Sequence, residues 1–151
     1  MRFQLPNFPS EFEIPDTWLA EAGLNSNFTA SAPSFRTSAN ATLVPIREIE
    51  PPLRVNTSPD DWRGFNCKRM ISVLQGIATD AEMEAVPLIK LPELDDRLVS
   101  THYRYRTYSY RVQDGFHRFY GSVAAGFECL PAKITTVPEL VQLCRNLGWC
   151  E

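Results

Sequence analysis

The chain carries no surplus of positive charge: 15 Lys and Arg stand against 18 Asp and Glu, a formal net charge of −3. Proteins that wrap a nucleic-acid backbone need a basic footprint, so strong non-specific DNA binding is disfavoured. Long apolar runs are missing as well. Met1-Arg2-Phe3-Gln4-Leu5-Pro6 lacks the uninterrupted apolar stretch of a secretory signal, and no later window reaches the roughly 20 apolar residues a bilayer crossing needs. No membrane contact is expected, and a cytoplasmic location is the default. Cysteine is sparse: Cys67, Cys129, Cys144 and Cys150 lie far apart without a C-x-x-C pair, which gives no zinc knuckle, no thioredoxin-like motif and no metal ligand set. Reduced, mostly buried thiols are expected instead. Three glycosylation sequons, at Asn27, Asn40 and Asn56, carry no physical consequence without a secretory signal. No internal repeat or long charge run breaks the chain into modules.

What remains is an ordinary core-forming composition, with 44% hydrophobic residues over 151 positions, enough for one folded unit. Residues 1–41 are rich in Ser, Asn, Pro and Thr and carry one short helix signal over 15–23, with Asp16 as N-cap and Gly23 as the stop. The aromatics Phe3, Phe8, Phe12, Trp18, Phe28 and Phe35 argue against disorder there. This stretch reads as an arm laid over a domain spanning 42–151, and as a surface through which a protein partner could dock.

From Thr42 the pattern is α/β (α+β), a small mixed sheet with packed helices. Leu43-Val44-Pro45-Ile46 is a strand candidate, and Pro51-Pro52 forces a non-helical passage. Asn66 caps a helix running to Ile77, with Met70, Val73, Leu74 and Ile77 on one stripe. Residues 86–91 form the next strand, and a charged loop follows at Glu93 to Arg97. The Tyr/Arg run over 103–112 alternates like a strand but changes phase, which calls for a bulge near Thr107. Its last part, Tyr108 to Gln113, leads into a turn. A helix from His117 to Ala125 is stopped by Gly126, a short extended piece covers 130–134, and a last helix begins at Thr136 with Leu140, Leu143, Cys144 and Leu147 on its buried stripe.

The segment Asp114-Gly115-Phe116-His117-Arg118 holds the chemistry. A turn between a strand and a helix leaves backbone N–H groups unpaired at the helix start, where the dipole adds positive potential, so it suits an anion. Gly115 allows close approach, Arg118 can offer a fork to phosphate, and His117 can donate when protonated or act as acid or base. The other reading is purely structural: Asp114 caps, Gly115 turns, His117 is a satisfied imidazole and Arg118 pairs with a carboxylate. The residues alone leave both open.

Residues 110–127, ending in Leu130-Pro131, resemble the signature of the ParB/sulfiredoxin superfamily. Val44-Pro45-Ile46 through Ile49, Pro51 and Arg54 is similar to its first strand and proline/arginine passage, and Ser72 to Leu91 to its helix and Pro-containing strand. The resemblance covers about residues 42–135 and implies a ParB/sulfiredoxin-like fold that contacts nucleotide phosphates (ATP, ADP or CTP) through Gly115, Phe116, His117 and Arg118. Phe116 stands where sulfiredoxins carry their catalytic Cys, which removes sulfinic-acid reduction. Partitioning ParB domains read Gly-Glu-Arg-Arg here and continue into a helix-turn-helix, for which no room is seen. The Asp-Gly-His-His-Arg turn of the free-serine kinase branch matches at four of five positions. That match implies a nucleotide-dependent phosphotransferase or hydrolase, with Mg²⁺, in which Asp114 and His117 are the catalytic candidates and Glu48, Glu50, Asp60 or Asp61 supplies a further base. Against it stand a catalytically silent interaction module and a nuclease or nucleic-acid binder using Arg104, Arg106, Arg111 and the interleaved tyrosines.

Overall fold

The computed structural model describes residues 1–7, 10–24, 28–38, 40–91, 108–136, 142 and 145–147. Its elements are β1 (Arg2–Gln4), β2 (Glu11–Glu13), α1 (Asp16–Ala22), β3 (Thr42–Pro45), β4 (Ile49–Glu50), α2 (Cys67–Ala78), β5 (Val86–Lys90), β6 (Tyr110–Val112), α3 (Phe116–Ala125) and β7 (Cys129–Thr136). The α/β expectation holds. The charged loop and most of the Tyr/Arg run lie outside the described residues, as do Leu140, Leu143 and Cys144 of the expected last helix. Leu147, assigned to that helix's buried stripe, is 52% exposed.

Five strands form one mixed sheet in the order β3-β7-β5-β6-β4. The β3/β7 and β5/β6 pairs are antiparallel, whereas β7/β5 and β6/β4 are parallel. Its two edge strands are neighbours in sequence, joined by a single 3-10 turn, Ile46–Glu48. Four residue steps from Pro45 to Ile49 reach at most about 14 Å. A flat five-stranded sheet would hold its edges about 19 Å apart. The sheet therefore curls, and the turn is stitched to both sides of the seam: Ile46 N–H donates to the Glu128 carbonyl (2.9 Å), and Ser109 N–H donates to the Glu48 carbonyl (2.8 Å).

Helix α2 forms as its sequence predicts. The Asn66 side chain accepts the Arg69 N–H, and the stripe Met70, Leu74 and Ile77 is buried while Val73 is half-buried. Helix α3 ends at Gly126 in the left-handed conformation, as expected. Strand β7 is longer than the short piece expected, because Thr135 and Thr136 keep pairing with Ile89 and Lys90 of β5 despite their polar side chains. Conversely, the strand before the site spans only Tyr110–Val112 rather than Tyr108 to Gln113. In α1 the N-cap is Pro15, not Asp16, whose carboxylate instead pairs with the Met1 amine at 2.9 Å.

The first 41 residues contribute to the same core as the sheet. Leu5, Phe12, Ile14, Leu19, Ala22, Leu24 and Phe35 are buried in one cluster with Val44, Ile46, Ile49, Met70, Leu74, Val86, Leu88, Phe119, Tyr120 and Leu130. Phe12 stands edge-on to Tyr120 with ring centroids 5.0 Å apart, and β1 and β2 pair to hold it there. Cys67 and Cys129 are free thiols and only half-buried, less so than expected, because each sits at the first residue of its element near the surface.

Candidate functional site

Two helix starts meet at one cleft. The α3 start is built by Gly115, which is the N-cap with φ 101°, so the helix begins at Phe116 rather than His117 and Asp114 does not cap it. A side chain at 115 would meet Arg118 Nη2 at 3.0 Å and Val86 Cγ1 at 3.1 Å, so both conformation and space call for glycine. Asp114 folds its carboxylate onto the Gly115 N–H (2.8 Å) instead. The first intrahelical bond runs from Phe119 N–H to the Gly115 carbonyl (3.0 Å) and no side chain caps the helix, which leaves the N–H groups of Phe116, His117 and Arg118 without helical partners.

The α2 start is delivered by a tight turn. Trp62 and Phe65 exchange backbone bonds (2.8 and 2.9 Å), while Arg63 and Gly64 between them have φ 49° and 87°. At 64 any Cβ would lie 2.7 Å from the Arg54 Cβ, and the Gly64 N–H donates to Asn56 Oδ1 (2.6 Å). That turn aims Asn66 across at α3. The Asn66 N–H donates to His117 Nε2 at 3.0 Å, locking the two starts side by side.

This bond decides the state of His117. With Nε2 accepting, the ring proton belongs on Nδ1. Burial, then the Arg69 charge, lowers the imidazole to about 4 against a smaller opposing pull from Asp61. His117 is neutral near pH 7, so neither the protonated donor nor the near-neutral acid or base expected of it is available. Arg118 also has a prior engagement: Nη1 donates to the carbonyls of Glu84 (2.6 Å) and Ala85 (3.2 Å), tying the turn to the beginning of β5. The Phe116 ring packs on Phe65 and Tyr120, with centroids 5.6 and 4.9 Å away, and the residue is half-buried at the cleft.

The cleft has a volume of about 760 Å³ and is lined by Gly115 to Arg118, by Asp61, by Asn66, Lys68 and Arg69 at the α2 start, and by the apolar Leu53 and Val55. Among the described residues, none of the first 41 lines it. Lys68 and Arg69 lie near the α2 start, exposed, and enter no ion pair among the described residues. Three cations thus face two carboxylates, Asp61 and Asp114, around two convergent helix dipoles. Leu53 is 84% exposed, an apolar wall left open to solvent.

Of the base candidates, only Asp61 lines the cleft. Its Oδ2 accepts from Thr57 N–H (2.9 Å), Thr57 Oγ (3.1 Å) and Ser58 N–H (3.1 Å). The Thr57 backbone bond leads in lowering its carboxyl below the ordinary value. Such a carboxylate is well suited to holding charge and poorly suited to taking a proton. Glu50 is instead tied to Arg111 across the β4/β6 pair (3.2 Å), which also occupies one cation of the Tyr/Arg run. No cluster of three or more His, Cys, Asp or Glu that could hold a metal occurs among the described residues.

Lys68 and Arg69 escaped the sequence reading of the site because they are about fifty positions from Arg118, whereas Asp61 stood there as one of four carboxylate candidates with none singled out. The signal was nonetheless present: Asn66, already read as a cap, announces a helix whose first turn carries Lys68 and Arg69. Comparisons with models of known families, with curated proteins and with solved structures find no match.

Proposed function

We propose that the cleft between the α2 and α3 starts binds the phosphate of a nucleotide, in a protein of ParB/sulfiredoxin-like fold. The observation that carries this reading is the convergence of two helix N-termini, joined by the Asn66–His117 bond, on one uncovered cleft that also displays Lys68 and Arg69. Phosphate oxygens would accept from the backbone N–H groups of residues 116–118 and pair with Lys68 and Arg69. Arg118 serves first as a positioning residue that fixes the turn. Leu53 and Val55 offer the apolar surface a base needs. In this reading Asp61, which lines the cleft, would orient a cation such as Mg²⁺ carried by the phosphates, and phosphoryl transfer would need a stronger base than Asp61 supplies.

A panel of ATP, ADP, CTP and GTP, with and without Mg²⁺, tests the reading by thermal shift. At a hundredfold excess over Kd a true ligand stabilises by about 2.7 kcal/mol, a rise on the order of 5 °C or more. The double variant Lys68→Ala/Arg69→Ala should keep its melting temperature without ligand and lose that rise. No shift with any nucleotide would sink it. The prior engagement of His117 Nε2 and Arg118 Nη1 favours a second reading, a ligand-free structural turn within an interaction module, and that null result would support it. The arm's buried aromatics Phe12 and Phe35 are not available to a partner in that case.

A further inference from the structure

Between the last residue of β6, Val112, and the first of α3, Phe116, the chain makes its one Asp-Gly step, Asp114-Gly115, and it holds no Asn-Gly. Such a step is chemically distinct, because a backbone nitrogen with no side chain on its own residue to shield it stands next to a carboxyl group on a short stem. Here the fold adds to that. Asp114 is exposed and its Oδ1 accepts the Gly115 N–H at 2.8 Å, so the nitrogen already lies against the carboxyl group. Gly115 is the N-cap, outside the sheet ladder, and its N–H makes no other hydrogen bond among the described residues. Bonds on either side, from Gln113 N–H to the Pro87 carbonyl (2.9 Å) and from Phe119 N–H to the Gly115 carbonyl (3.0 Å), hold the flanks and leave Asp114 in water. Asp80 gives the contrast. It is exposed too, but the next residue, Ala81, has a Cβ and donates its N–H to the Gly76 carbonyl (2.8 Å).

We propose that Asp114 is a site of spontaneous isomerisation in the folded protein. With the carboxyl in its acid form, the Gly115 nitrogen bonds to Asp114 Cγ. The carboxyl hydroxyl and the amide proton leave together as one water, which closes a five-membered succinimide. Water then adds at the Asp114 backbone carbonyl carbon, and the bond from that carbon to the Gly115 nitrogen breaks. The main chain now runs through Cβ and Cγ, and the α-carboxylate is free. One water leaves and one enters, so the step needs no co-reactant and changes neither mass nor charge. The longer backbone no longer fits a turn in which even a Cβ on residue 115 would stand 3.1 Å from Val86, so the N–H groups of residues 116–118 shift. Loss of the nucleotide response in the isomerised chain rests on the phosphate reading; the isomerisation does not.

The test incubates the full chain at physiological temperature in mildly acidic buffer made with ¹⁸O water, beside the same chain unfolded in guanidinium chloride, and then separates and weighs the peptides that contain residue 114. Solvent oxygen should enter at Asp114, with an isoaspartyl peptide eluting apart from its parent. The rate should lie within roughly tenfold of that in the unfolded chain, whereas a reaction confined to the unfolded fraction would be slower by about a thousandfold or more. Asp80 in the folded chain should stay unlabelled over the same time. Asp114→Asn should close the same ring with loss of ammonia and convert to a mixture of aspartyl and isoaspartyl products. Asp114→Glu, which would need a six-membered ring, should take up no label at this position. A folded chain that stays unlabelled at Asp114 while the unfolded chain converts, or that labels Asp80 as fast, would overturn the proposal.

Discussion

Acidification should weaken this fold through His117 in a way a single substitution can isolate. The folded imidazole titrates at about 4 rather than the ordinary 6.5. The unfolded chain therefore takes up the proton first as pH falls, and the stability held by the neutral ring is complete above 6.5 and drains as pH drops toward 4. For a fully shielded ring the loss between about pH 7.5 and pH 5 would be roughly 2 kcal/mol. His117 is only half-buried, so solvent screening cuts this to about 1 kcal/mol. His117→Gln keeps an acceptor for the Asn66 N–H but does not titrate. Urea unfolding of both proteins at the two pH values reads the effect, because the other titratable groups are common to the two chains and drop out of the difference. Wild type should lose about 1 kcal/mol more than the variant. Parallel losses would refute the neutral, hydrogen-bonded His117 and with it the locking of the two helix starts.

Two further substitutions probe the backbone around the cleft. Gly115→Ala must place a Cβ at φ 101° and 3.0–3.1 Å from Arg118 and Val86, so chemical denaturation should show a loss on the order of 1–3 kcal/mol together with a weaker nucleotide response. Gly121→Ala would ordinarily favour a helix, yet its Cβ would lie 2.8 Å from Val73 Cγ1 at the α2/α3 contact. It should cost about 1 kcal/mol on its own and be neutral or stabilising in a Val73→Ala background; additive losses in that double-mutant cycle would remove the steric argument.

Local signals carried much of the fold into view. The Asn66 cap with the Met70, Leu74 and Ile77 stripe marked α2, and Gly23 and Gly126 marked two helix ends, because each acts within one or two turns of its own position. What stayed hidden depends on pairing at a distance. Strands as short as β4, two residues long, have no period to read, and β7 runs on through Thr135 and Thr136 only because β5 lies alongside. At the site the turn at Gly115 was legible, but the helix start was placed one residue late, at His117, because a glycine at positive φ takes the N-cap position itself and lets the helix begin at Phe116. The occupation of Arg118 and His117 by protein partners was not legible, since Glu84, Ala85 and Asn66 reach them only through the tertiary fold.

The place of β7 also bears on how the chain is made. It is the last of the described strands to be synthesised, yet it lies between β3 and β5 and joins one to the other. Until residues 129–136 emerge from the ribosome, β3 has no sheet partner and the chain can assemble only the β5-β6-β4 half, with α2 and α3 already present. Folding of the whole sheet is thus gated by its final segment, and a nascent chain stalled before that point would expose the unpaired edge of β5 and the apolar face of β3, the kind of surface that recruits chaperones or drives aggregation.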